Sequence, residues 1–253
     1  MLQRFQGRTA LVSAAGRGIG AASARRIYSE GGSVLVTDHD HDSARSVVKS
    51  LGGETDRLRA VKLDVTRPDD WARAVDVALE TMGRLDILHH NAGRNEWMPI
   101  HQISDEHWHA QITLNLDSAM FGVRACIAAL RQSGDGAIIF TSSIQAKRGF
   151  PGFPAYAAAK AGLIGLAQQL AVDYAPEIRT NVVLPGVVET EDWSTMDSDE
   201  RERWRLTSPL GKFTQGDDVA ATVAFLASSD ARVITGQSIL VDGGSSILGR
   251  WGS

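Results

Sequence analysis

The sequence contains a single cysteine, Cys126. No disulfide can form within the chain, which points to a reducing compartment. Cys126 stands in the apolar helical stretch FGVRACIAAL and reads as a small core hydrophobe before it reads as a reactive thiol. No run reaches the roughly 18 apolar residues of a membrane span, and the opening MLQRFQGR has no apolar signal region. Basic charge is not in excess: 26 Lys and Arg face 30 Asp and Glu, a net charge of −4. The usual basic footprint of a nucleic-acid binder is therefore missing. Internal repeats, low-complexity tracts and linkers are missing too. These absences lead us to expect a soluble cytoplasmic protein whose partner is a small molecule, with no nucleic acid and no membrane.

What is there is enough apolar material for a large core, 43% of 253 residues. Short apolar runs alternate with longer helical stretches. Strands are predicted at 9–14, 33–38, 58–65, 85–93, 136–143, 178–186 and 237–244. Helices are predicted from about 19 to 31, 42–51, 68–82, 104–133, 155–174 and 217–228. Repeated βα order implies a parallel sheet covered on both faces. The expectation is an α/β protein with one doubly wound, Rossmann-type sheet of about seven strands, a single domain over 1–253. Segment 189–215 is read as a polar excursion.

Ser13-Ala14-Ala15-Gly16-Arg17-Gly18-Ile19-Gly20-Ala21 joins the first strand to the first helix. Gly16, Gly18 and Ala21 fit G-x-G-x-x-G/A, the dinucleotide pattern. Missing Cβ atoms let backbone approach a pyrophosphate whose charge the helix N-terminus favours. Glycine loops also serve as plain turns, but this one has a strand before it and a helix after it. Asp38 ends the second strand, where a carboxylate accepts from a ribose hydroxyl and repels a 2′-phosphate. Asp64 and Val65 end the third strand, within reach of an adenine amino group, and Asn91-Ala92-Gly93 ends the fourth. Four polar signals at four strand ends reinforce one another. The alternating HDHD at 39–42 lies on a surface turn without the convergence a metal site needs, so no metal is expected.

In FPAYAAAK, Tyr156 and Lys160 stand one turn apart on one helix face. A phenol and an ammonium there fit either a packing pair or an acid/base pair. A nearby ammonium lowers the pKa of a phenol from its ordinary value of about 10, which would suit it to proton transfer near neutral pH.

With these motifs the sequence resembles the short-chain dehydrogenase/reductase family. The resemblance covers essentially the whole chain. It rests on the glycine loop, Asp64-Val65, Asn91-Ala92-Gly93, Asn115, Ser143, Tyr156-xxx-Lys160, Pro185-Gly186 with Thr190, and ITGQSILVDGG at 234–244. Two departures are visible. Ser13-Ala14 stands where the family usually has Thr-Gly, and His90 precedes Asn91 where a second asparagine is common. The resemblance implies hydride transfer at a carbinol or carbonyl carbon, with Asn115, Ser143, Tyr156 and Lys160 as the catalytic set. Tyr156 would be the acid/base, Ser143 would hold the substrate oxygen, and Asn115 would hold a water relaying protons from Lys160. The cofactor would lie on Ser13, Gly16, Arg17, Gly18, Ile19, Gly20, Asp38, Asp64, Val65, Asn91, Ala92, Gly93, Tyr156, Lys160 and Pro185. Val188 and Thr190 would hold its carboxamide. Asp38 argues for NAD over NADP; Arg17 and His39 argue the other way. Relatives pack as homotetramers through their long helices, and the apolar tail residues Ile247, Leu248 and Trp251 fit that pattern.

Substrate choice falls to the turns after strands four and five and to segment 189–210. There Asn95, Gln145 and Trp193, with Ser143 and Tyr156, suit a compact polar ligand such as a polyol, sugar or hydroxy/keto compound. A 3-oxoacyl thioester is the rival substrate. A non-catalytic NAD(H)-sensing protein is the rival class, and the intact catalytic set argues against it.

Overall fold

The computed structural model describes residues 3–189 and 197–248. Seven strands form one parallel sheet: β1 (Thr9–Val12), β2 (Ser33–Asp38), β3 (Leu58–Lys62), β4 (Ile87–His90), β5 (Gly136–Thr141), β6 (Ile178–Pro185) and β7 (Ser238–Val241). Their order is β3-β2-β1-β4-β5-β6-β7. The strands are nearly continuous apolar runs because both faces are covered. Alternation then divides their side chains. Ala10, Val12, Val34, Val36, Ile87 and Ile139 join one core with α1 (Gly18–Ser29), α2 (His41–Ser50) and α8 (Gly216–Ala227). Leu11, Leu35, Leu88, Ile138 and Phe140 join the other with α3 (Pro68–Met82), α5 (Ser118–Ser133) and α6 (Pro154–Asp173).

The strands are shorter than the apolar runs, because the last residues of each run leave the sheet as loops. Chain direction reverses its spread between β1 and β4, which opens a crevice at the carboxyl ends there. Ser13, Asp38, Asn91 and Ser143 all follow or close strands on that edge.

Two elements differ from the sequence reading. The predicted helix over 104–133 is three pieces: α4 (Asp105–Ile112), a π-helical turn (Thr113–Asp117) and α5. By length and mean hydropathy this stretch would pass as a membrane span. Its residues Val123, Cys126 and Leu130 are instead buried against the sheet. The excursion at 189–215 holds a further helix, α7 (Ser198–Arg205), whose charged SDERERWR conceals any apolar period.

Candidate active site

The glycine loop is built for close approach. A Cβ at Gly20 would lie 2.2 Å from the Ala14 carbonyl oxygen, and one at Gly16 would lie 2.7 Å from Ser43 Cβ and 2.9 Å from Asp38 Oδ2. Above Gly18, at φ +55°, a Cβ would meet nothing within 4 Å. Helix α1 starts there with Arg17 at its N-cap, no side-chain cap and no acid in its first turn. Its first N–H groups and the positive end of its dipole face that opening unquenched. By contrast Asp40 caps α2. A pyrophosphate therefore fits the residues present. Arg17 is exposed and Ile19 is half-buried.

Ser13 and Asn91 fasten this loop to the end of β4. Ser13 Oγ accepts from the N–H groups of Asn91 (3.0 Å) and Ala92 (3.4 Å), and Asn91 Nδ2 donates to Ala14 O at 3.2 Å. Ala14 sits at φ +48°, a left-handed conformation that strains a residue with a Cβ. Asp38 is 6% exposed. Its Oδ2 accepts from Gly16 N–H at 3.0 Å, and its Oδ1 from Asp40 N–H at 3.0 Å and beside His39 Nδ1 at 2.9 Å. Asp64 Oδ1 accepts from Thr66 N–H (3.0 Å) and Oγ1 (2.7 Å), and the Val65 carbonyl accepts from Trp71 Nε1 at 2.9 Å. Pro185 ends β6, and Val188 bridges to Thr214. Thr190 and Trp193 lie outside the described residues.

Ser143, Tyr156 and Lys160 meet beside this crevice. Ser143 Oγ accepts from Gln145 N–H at 3.1 Å, opening a short 3₁₀ turn after β5. Tyr156, in the first turn of α6, lies close enough to Ser143 for the two side chains to influence each other electrostatically. Lys160 is 2% exposed, and its Nζ lies 5.6 Å from the centre of the Tyr156 ring. The ammonium donates to the carbonyls of Thr141 (2.9 Å) and Ala92 (3.4 Å), at the tips of β5 and β4.

Electrostatically the pair differs from the sequence expectation. Burial pushes the Tyr156 phenol up to about 12, with the neighbouring Ser143 opposing it. Burial also brings Lys160 down to about 7. Both shifts follow from burial, and Lys160 is not among the groups that move the Tyr156 phenol. The low-dielectric site outweighs the charge that the sequence spacing promised.

Asn115 lies inside the π-helical turn, where the widened spacing frees a carbonyl. Its Nδ2 donates to Gln111 O (2.9 Å) and Arg94 O (3.1 Å), and its Oδ1 accepts from Arg94 N–H at 3.1 Å. The side chain therefore splices the turn to the loop after β4. Gly93 separates it from the lysine: a Cβ there would lie 2.6 Å from Lys160 Nζ and 2.8 Å from Asn115 Oδ1.

Of the residues expected to face substrate, Asn95 is exposed, and Gln145 is half-buried with its Oε1 fully shielded and lacking a hydrogen-bond partner among the described residues. Trp97 packs against Gly152 and is otherwise 63% exposed. Burial pushes the Cys126 thiol up to about 12, which leaves it inert. No group of three potential metal ligands converges among the described residues. Sequence reasoning named Gly93 for the cofactor and not for its place between Asn115 and Lys160, and it missed the π-helical turn and Ser118. No local pattern marks the turn or the serine.

An open α/β sheet with an uncapped glycine-loop helix at its switch point defines a dinucleotide-binding protein. Comparison with known proteins agrees. A family model described as enoyl-(acyl carrier protein) reductase matches residues 13–246. A cyclohexanol dehydrogenase of Acinetobacter is 34% identical, covering 96% of each chain. A 3-oxoacyl-[acyl-carrier-protein] reductase of Thermotoga maritima is 32% identical over 95% of this chain and 98% of its own. A solved Brucella melitensis structure, titled as a short-chain dehydrogenase/reductase of glucose/ribitol dehydrogenase type, superposes with a TM-score of 0.89 at 30% identity, covering 97% of this chain and 99% of the other. The chain belongs to the short-chain dehydrogenase/reductase family. It is an oxidoreductase that transfers hydride between a nicotinamide cofactor and an alcohol or ketone.

Proposed function

We propose that the protein is an NAD-dependent dehydrogenase/ketoreductase of a small secondary alcohol and its ketone, with Tyr156, Ser143, Lys160 and Asn115 as its working residues. The carrying observation is the junction at the sheet edge: Tyr156 beside Ser143, with the Lys160 amine buried 5.6 Å from the centre of the tyrosine ring. The nicotinamide, when bound, supplies or accepts the hydride. Ser143 orients the substrate oxygen. Tyr156 gives that oxygen a proton in reduction and removes one in oxidation. With its phenol pushed up to about 12, Tyr156 is protonated at neutral pH and set to donate. Oxidation needs positive charge beside the phenol, which Lys160 would supply when protonated. Asn115 holds the turn beside Lys160, its side chain committed to Arg94 and Gln111.

Asp38 supports NAD: its carboxylate closes the end of β2 within a hydrogen bond of the glycine loop. Gln145, with its shielded and unpaired Oε1, supports a substrate bearing a second polar group. A 3-oxoacyl thioester is the second reading, favoured by the Thermotoga relative. Exposed Met120, Val172, Phe225 and Leu240, on α5, α6, α8 and edge strand β7, support a homotetramer. One domain and a cytoplasmic location complete the proposal. The test is a panel of polyols, cyclic alcohols and 3-oxoacyl thioesters with NAD and NADP, with light scattering for assembly. Turnover of none of them, or a monomer at micromolar concentration, would overturn the corresponding part.

A further inference from the structure

The π-helical turn needs an explanation, because a helix that widens for one turn leaves its hydrogen bonds out of step. The Ser118 N–H reaches back five residues to Thr113 O. The Leu114 carbonyl thereby loses its ordinary backbone donor, and Ser118 Oγ donates to it at 2.7 Å. A carbonyl cannot donate, so the one hydroxyl hydrogen of Ser118 is committed. His90 Nε2, 3.0 Å from the same Oγ, must therefore carry a proton and donate. This fixes the tautomer of His90. Its ring is also fixed: Trp71 stacks on it at 5.8 Å and 20°, and Phe140 meets it edge-on at 6.2 Å. Burial holds the imidazole neutral, down to about 3, so the donor persists across the working pH range.

We propose that His90 is a positioning residue for the acid/base centre: through Ser118 it holds the widened turn that sets Asn115 against Gly93 and Lys160. The path is short. His90 fixes Ser118, Ser118 closes the Leu114 carbonyl, and Asn115, the next residue, bonds both backbone groups of Arg94. Gly93 leaves no slack between Asn115 Oδ1 and Lys160 Nζ. The inference rests on the proposed roles of Tyr156 and Lys160, and its test has an arm independent of them.

Three variants separate the possibilities. His90→Phe keeps the ring and removes the donor, Ser118→Ala removes the acceptor, and His90→Gln returns an N–H at similar reach. In the first two, kcat is expected to fall about tenfold with KM nearly unchanged, since misplacement of a catalytic group costs rate before binding. The double variant is expected to be no worse than either single, because one path is cut twice. His90→Gln is expected to restore most of the rate. Amide exchange within 111–118 is expected to quicken in the same two variants while β1 and β2 stay protected. Wild-type kcat in folded Ser118→Ala, additive losses in the double variant, or unchanged exchange at 111–118 would each overturn the proposal. Ser118→Ala deletes one oxygen, so it carries the test if His90→Phe does not fold. If the wild type reduces no ketone, the proposed function fails, and the exchange measurement still decides the role of His90.

Discussion

The Lys160 ammonium bonds the carbonyls at the tips of β4 and β5 and lies 5.6 Å from the centre of the Tyr156 ring. A fully buried lysine so placed sheds its proton near neutrality, down to about 7.

That has a consequence for stability. The unfolded ammonium keeps its proton to about 10.5, whereas the folded one loses it near 7. Between those values the unfolded chain binds more protons, so stability rises with pH through this window. Tyr156, raised to about 12 from 10.0, acts oppositely above pH 10. Relative to Lys160→Met, the cofactor-free wild type is expected to gain on the order of a few kcal/mol between pH 7 and 10 in urea titrations. Parallel pH profiles for the two proteins would refute the buried-charge account.

Tyr156→Phe removes the phenol oxygen and leaves the packing of the ring. Turnover is expected to fall by about 10³-fold or more, in line with the loss of a positioned acid/base. Cofactor affinity, followed by fluorescence, is expected to stay within about threefold, because the glycine loop carries the phosphates. Near-normal kcat would remove Tyr156 from the mechanism.

Asp38 serves two masters, the Gly16 N–H and the space beyond β2. Asp38→Asn keeps an acceptor for Gly16 and deletes the charge, so it isolates the repulsion. The NAD to NADP ratio of kcat/KM is expected to drop at least about fivefold, a modest share of the Coulomb term between close like charges. A wild type that prefers NADP, or an unchanged ratio, would show that Asp38 does not discriminate.

Ala14 occupies φ +48° where its Cβ is strained. Ala14→Gly is expected to stabilise the protein by about 0.5 kcal/mol, the relief of roughly 1 kcal/mol being offset by the looser unfolded chain and a lost methyl contact. A clear loss of stability would mean that the packing of Ala14 on the second core outweighs its backbone strain.

Gly93→Ala places a methyl 2.6 Å from Lys160 Nζ. The flexible lysine tip can yield, so melting temperature is expected to change little. The displaced amine is expected to lower kcat/KM by about 100-fold. Retained activity would show that Lys160 need not sit where it does.

The sequence by itself determined the sheet. Apolar runs separated by helical stretches require strands buried on both faces, and period-two alternation sends Leu11 and Val12 to opposite cores whatever the topology. It also determined that Tyr156 and Lys160 share a helix face, because 3.6 residues per turn leaves no other result. Local spacing carries that information. The tertiary structure alone decided the rest. The ionisation of the pair follows from burial, which depends on β4 and β5 meeting α6 and reverses the shift that proximity implied. The break in the helix at 113–117 is met by His90 and Trp71, which are remote from it in sequence and reach Ser118 only through the second core. Helical propensity sees only near neighbours, whereas desolvation and long-range hydrogen bonds are properties of the packed chain.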